Sequence, residues 1–266
     1  IKVNANIADS RAAVDVVSHN QLADGAVSLD ALLAPKRIDA TLSTDLSRAD
    51  LYRLRLTQKP MQAGMCAHID LTSDLKQSHS VRGYFNDFTI RTEKKTFRPK
   101  DLSVNVLTCP DTTWAKVSSG NLDLYMTAGC GYEKLAYHGN MLIEEIMSQM
   151  RNKVIDQPRL RELLPVMELR VNSGMDNPVA NFLRFRGLTF NDFAIDMTTS
   201  PADGINGDMR IYSLTVDSMR LDTIRLHIRQ EAENVRFSGI VQNNRKNPQF
   251  VFKTLMAGTI LAVSYT

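Results

Sequence analysis

The stretch Met61-Gln62-Ala63-Gly64-Met65-Cys66-Ala67-His68-Ile69-Asp70-Leu71-Thr72 decides the reading of this chain. Its odd positions are Met, Ala, Met, Ala, Ile and Leu; its even positions are Gln, Gly, Cys, His, Asp and Thr. Successive side chains of a strand point to opposite faces, so the segment predicts a strand with one apolar and one wet face. The pattern recurs where Tyr52, Leu54 and Leu56 alternate with Arg53, Arg55 and Thr57, and where Ile224, Leu226 and Ile228 alternate with Arg225, His227 and Arg229. A chain of many one-sided strands must put its apolar faces against something.

Composition narrows the choice. At 266 residues, with 43% hydrophobic and 23% charged residues, the chain is a folded protein and not a disordered one. Its net charge is +3, with the bases scattered along strands, which argues against a nucleic-acid interface. The densest basic patch, Lys94-Lys95 with Arg98-Pro99-Lys100, reads as a solvated hairpin tip. The first residue is Ile1, and the last three, Ser264-Tyr265-Thr266, read as a strand-like ending. Both ends look cut, so the expectation is a piece of a longer protein. No apolar run approaches the roughly 20 residues that span a bilayer as a helix.

Working outward from Met61, strands are predicted near 61–72, 81–92, 96–107 and 114–127, with turns at Glu93-Lys94-Lys95 and Cys109-Pro110-Asp111. Before them, Val14, Val16 and Val17 suggest a strand, Ala23-Asp24-Gly25 a turn, and Ile38, Ala40 and Leu42 another strand. The period then changes. Leu142, Ile146 and Met150 make a helical stripe with Asn140 as N-cap, and this stripe is expected to dock on the sheet. A second short helix is expected from Asp156 through Leu164, stopped by Pro165. Strands resume at Val166–Val171, Leu183–Phe185, Phe193–Met197, Met209–Val216, Met219–Ile228, Asn234–Gln242 and Phe250–Leu255, with turns at Asp203-Gly204, Asn206-Gly207 and Asn243–Asn247. A faint repeat relates Gly83 to Gly207. At that offset Ile90 meets Leu214, Phe97 meets Leu221, Leu102 meets Leu226 and Val104 meets Ile228.

Nothing in the sequence asks for catalysis. Nucleophile-elbow, metalloprotease, phosphate-loop and dinucleotide fingerprints are all missing, so no catalytic residue, metal ligand or cofactor is assigned. His19, His68, His79, His138 and His227 are spread singly. Cys66, Cys109 and Cys130 form no C-x-x-C pair.

From Thr96 onward the succession of features resembles the TamB family, within the wider AsmA-like group. The residues that carry it are Phe97 with Leu102-Ser103-Val104-Asn105-Val106, then Val117-Ser118-Ser119-Gly120-Asn121-Leu122-Asp123-Leu124, then Gly131-Tyr132-Glu133-Lys134-Leu135. Leu164-Pro165, Asn177-Pro178, Gly204-Ile205-Asn206-Gly207, Leu221-Asp222-Thr223-Ile224 and Val235-Arg236-Phe237-Ser238-Gly239 follow.

The resemblance implies a mainly β fold, a long antiparallel sheet curled into an open apolar groove with a short helical insert. On that reading residues 1–60 are a poorly defined β segment, 61–135 and 166–266 are groove segments, and 136–165 are the insert. It implies a place in the periplasm, a parent protein anchored in the inner membrane, and a role in phospholipid transport and outer-membrane protein assembly. The partners would be phospholipid acyl chains and the outer-membrane assembly machinery. Alternation points to the lining residues: Met65, Ala67, Ile69 and Leu71, then Leu122, Leu124 and Met126, then Leu226 and Ile228. The same rows would equally fill a closed β-sandwich, such as a binding or adhesion module of a bacterial surface protein. Both architectures remain open at the level of sequence.

Overall fold

The computed structural model describes residues 1–153 and 155–261, with Phe185 described by its backbone alone. The expected ending Ser264-Tyr265-Thr266 lies outside the described residues. Strands make up 61% of the chain and form one long antiparallel sheet of 17 strands that is not closed into a barrel. Two compact units divide it: Ile1–Thr108 with Lys116–Gly120, and Cys109–Ala115 with Asn121–Thr266.

The first unit is a meander. Its strands are β1 (Lys2–Ala8), β2 (Arg11–His19), β3 (Ala23–Ala34), β4 (Arg37–Asp50), β5 (Met61–Ser73), β6 (His79–Thr92), the two-residue β7 (Thr96–Phe97) and β8 (Leu102–Cys109). Each of β1 to β5 pairs with its successor, and β6 pairs with both β7 and β8. Local chemistry sets the turns. Asp9 and Ser10 both take positive φ between β1 and β2, as the tightest hairpin turns require. Asp74 caps the β5–β6 turn by accepting the backbone N–H groups of Lys76, Gln77 and Ser78.

Four strands therefore fill the first sixty residues, a segment the sequence left poorly defined. Tyr52, Leu54 and Leu56 are not a strand. They lie in a run of turns after β4, with Arg55 at φ 61°. Ala23-Asp24-Gly25 opens β3 and is no turn. Gly25, at φ 151°, sits where the β3–β4 register shifts. The strand expected at 96–107 is broken between Phe97 and Leu102, where Pro99 falls.

The second unit contains the start of β9 (Thr112–Ser119), β10 (Leu122–Ala128), β11 (Met167–Gly174), the two-residue β12 (Leu188–Thr189), β13 (Asp192–Ser200), β14 (Gly204–Val216), β15 (Met219–Glu231), β16 (Asn234–Asn243) and β17 (Phe252–Ile260). Registers run β10–β11–β13–β14–β15–β16–β17. The single strand expected at 114–127 is thus two, parted at Gly120 with φ 57°. Asn206-Gly207 is strand interior rather than turn. Leu183–Phe185 belongs to helix α3 (Pro178–Phe185), which Asn177 caps by accepting the Ala180 N–H.

Helix α1 runs Tyr132–Asn152 and starts eight residues before the expected Asn140 cap. Its N-cap is Gly131, whose N–H donates to Pro110 O at 3.0 Å. A Cβ on Gly131 would stand 2.8 Å from Cys109 O, so only glycine allows the helix to begin there. Helix α2 (Gln157–Glu162) is capped by Asp156, where its start was expected, through the Arg159 N–H, and it ends two residues before the expected Leu164. The buried Gln149 side chain clamps the two helices through both backbone groups of Asp156. Arg161 ties α2 to the adjoining strand turns by donating to the carbonyls of Pro201, Ala202 and Ala232.

The repeat reappears as register. Gly83 pairs with Val104 as Gly207 pairs with Ile228. Phe85 pairs with Leu102 as Met209 pairs with Leu226, and Ile90 with Phe97 as Leu214 with Leu221.

Candidate functional site

Pairing turns the alternation of single strands into continuous rows. In the first unit one row reads Ala5–Val14–Leu29–Leu42–Ile69–Gly83–Val104 across seven strands. A second reads Ile7–Ala12–Ala31–Ala40–Leu71–Val81–Val106, and a third reads Val3–Val16–Val27–Thr44–Ala67–Phe85–Leu102. Ala67, Ile69 and Leu71 are therefore members of three neighbouring rows. Met65 opposes Leu46 on the same face.

The second unit repeats the design. One row reads Leu124–Val171–Ile195–Met209–Leu226–Gly239–Met256, and the next reads Met126–Leu169–Met197–Gly207–Ile228–Phe237–Gly258. Leu124 and Leu226 thus share a row, as do Met126 and Ile228, although each pair is far apart in sequence. Leu122 begins a third row through Ser173, Phe193, Ile211, Ile224 and Val241. Sequence reasoning missed Val171, Ile195, Met209 and Phe237. Their alternation was visible, but their partners were not.

Among the described residues these faces carry no second layer packed to core density. The fully buried apolar residues are mostly alanines, with Leu122, Leu164, Phe190 and Val235 as the larger members. Asn177, an amide, is the largest side chain that is wholly buried among the described residues. Ile7, Leu29, Leu71 and Met256 are exposed, while Val14, Leu42, Ile69, Leu124, Val171 and Leu226 are half-buried. An ordinary domain hides such residues, since burying one is worth about 1.5–3 kcal/mol.

The opposite face is laced by polar cross-strand pairs. Thr41 Oγ1 donates to Asp70 at 2.9 Å, Thr72 Oγ1 donates to Asp39 at 2.9 Å, and Ser43 lies 3.0 Å from His68 Nδ1. In the second unit His227 Nδ1 is 2.6 Å from Asp208, Arg225 donates to the Tyr212 hydroxyl at 2.8 Å, and Arg210 lies 3.4 Å from Asp192. A depression of about 810 Å³ on this face includes Arg170, Asp196, Asp208, Arg210, Arg225 and His227. Arg170 and Arg210 are matched by neighbouring carboxylates, whereas Arg225 donates to the uncharged Tyr212 hydroxyl. A smaller hollow of about 150 Å³ on the apolar face lies among Ile195, Met197, Ile205, Met209, Leu226 and Ile228.

Burial, followed by a hydrogen bond to the Asp45 carboxylate, pushes the Cys66 thiol up and away from the thiolate form a nucleophile needs. His19, His68, His79 and His227 contact Asp or Ser partners on separate hairpins. No three His, Cys, Asp or Glu side chains among the described residues are placed to hold a metal ion. No described helix is long and apolar enough to cross a membrane.

The helical stripe departs from expectation. Ile146 and Met150 point to solvent, and Met150 is 74% exposed. The buried side of α1 is instead the line Leu135, His138, Leu142, Glu145 and Gln149, each half-buried or buried. Comparison of the chain with protein-family models, curated proteins and solved structures gives no match.

Proposed function

We propose that the chain is a lipid-carrying segment of a bridge-like envelope protein of the TamB and AsmA-like kind, and that its apolar rows line an open groove for phospholipid acyl chains. One observation carries this reading: rows seven strands wide in each unit, apolar nearly throughout, left half-exposed instead of sealed into a core. A conduit needs such a surface. Burial of acyl chain is worth about 0.8 kcal/mol per CH₂ relative to water, and a bilayer already supplies that, so the path must be continuously apolar without deep traps or stranded charges. The placement of the charges supports the same reading, because the paired Asp, Arg and His side chains stand on the other face. In this reading the segment works in the periplasm, its parent is anchored in the inner membrane, and the outer-membrane assembly machinery is reached through the full-length protein.

The competing adhesion module, a closed sandwich, would seal the same rows inside a packed core. Their exposure supports the groove. Native mass spectrometry after incubation with phospholipid vesicles tests the proposal. Adducts at phospholipid masses are expected, and a chain that stays bare under those conditions would remove it.

A further inference from the structure

One face of α1 has no partner among the described residues. Ile143 (57% exposed), Met147 (56%) and Met150 (74%) line up with Ala136, Gly139, Asn140 and Ile146 at spacings of three and four. Gly139 is not explained by the chain's own packing, because a Cβ there would meet nothing within 4 Å. Glycine is nevertheless the poorest helix former after proline, and close approach of another backbone is the usual reason to keep one.

We propose that this face pairs with the same face of a second copy, antiparallel, about a two-fold axis at Ile143. In that arrangement Ile143 meets Ile143, Gly139 faces Met147, Ala136 faces Met150, and Asn140 faces Ile146. The small residues of the N-terminal half form the hollow that the flexible methionines of the C-terminal half fill, as a self-complementary contact requires. Charge fixes the direction. Antiparallel pairing brings Glu133 of the first turn beside Arg151 in the last turn of the second copy, whereas parallel pairing would set the two acidic first turns together and the two basic last turns together. Charge also decides against a membrane surface. Glu133, Glu144 and Glu145 balance Lys134, Arg151 and Lys153, so the helix lacks the basic excess that anionic lipid attracts. A helix about 30 Å long presents less area than a standard interface, so the association is weak and reversible.

The inference is independent of lipid carriage, and sedimentation equilibrium over a wide concentration range tests it. The purified chain is expected to dimerise. Gly139→Leu fills the hollow, its Cβ meeting none of the chain's own atoms within 4 Å, and should weaken the dimer at least tenfold while the melting temperature holds or rises. Glu133→Lys should weaken it several-fold, and adding Arg151→Glu should restore it. A chain that is monomeric throughout, or a dimer indifferent to Gly139→Leu, overturns the proposal. So does a monomer that co-sediments with phosphatidylglycerol vesicles and loses that binding in Met150→Lys, which would assign the face to membrane.

Discussion

The Phe237 ring lies against Gly258, its register partner on the neighbouring strand, so that a Cβ on Gly258 would stand 2.6 Å from Phe237 Cζ. An aromatic side chain covers the gap that a strand glycine leaves, and the apolar row continues across it. This pairing makes a prediction with a change of sign. Gly258→Ala should destabilise the wild type by crowding the ring, and should stabilise the Phe237→Ala background, where the gap is bare. Chemical denaturation of the four proteins should return a coupling of about 1 kcal/mol.

Gly25 offers a sharper test of backbone constraint. At φ 151° it takes a conformation that side chains avoid, and a Cβ there would collide with the Asp45 carbonyl oxygen and Leu46 Cα. Neither is the movable end of a side chain. Gly25→Ala should cost about 2–3 kcal/mol in urea titration, whereas Gly139→Ala, inside a helix with open space around the added Cβ, should be neutral or stabilising.

Asn177 closes the corner between β11 and α3. Its Nδ2 donates to Asn121 Oδ1, Ser173 Oγ and Gly174 O, while its Oδ1 accepts the Ala180 N–H. Asn177→Ala leaves several of these groups buried and unpaired and removes a helix cap. A loss of about 3 kcal/mol is expected, read from the midpoint of denaturation.

Asp74 gives a pH signature. Hydrogen bonds from the Ser78 and Lys76 backbones, with that of Gln77, lower its carboxyl from the ordinary 3.8 to about 2. A carboxyl depressed on folding stabilises above its unfolded pKa, and the contribution disappears as pH falls through the folded value. Asp74→Ala should therefore melt below the wild type at neutral pH. The gap should narrow between about pH 4 and pH 2, and a gap constant across that range would contradict the assignment.

The sequence was most legible where one strand carried its own signal. Met61–Thr72 alternated without interruption, and the structure makes it β5. Legibility failed where the deciding contact was distant or where period two arose without pairing. Tyr52, Leu54 and Leu56 alternate, yet they sit in turns, because a short run of alternation carries no information about a partner. Helix α1 starts at Tyr132 because Gly131 passes close to Cys109 O, a contact that no local pattern announces. The turn at Gly120 was hidden by the strand patterns that run up to Val117 and on from Leu122, although Ser118-Ser119-Gly120-Asn121 between them was there to be read. For the lining, the individual faces of Ile69, Leu124 and Leu226 were legible. Their assembly into rows was not, because it depends on registers between strands such as β10 and β15 that are joined only through their neighbours.

The central claim is that the rows face lipid and not a sealed core, and Leu124→Asp tests it most directly. Thermal stability and occupancy by a fluorescent fatty acid should be measured on the same sample. On a half-exposed row the carboxylate stays hydrated in the empty protein, so the fold should survive with a loss of about 1–2 kcal/mol, while fatty-acid occupancy falls several-fold. Unfolding or aggregation of the variant, together with a parent chain that binds no fatty acid, would contradict the account.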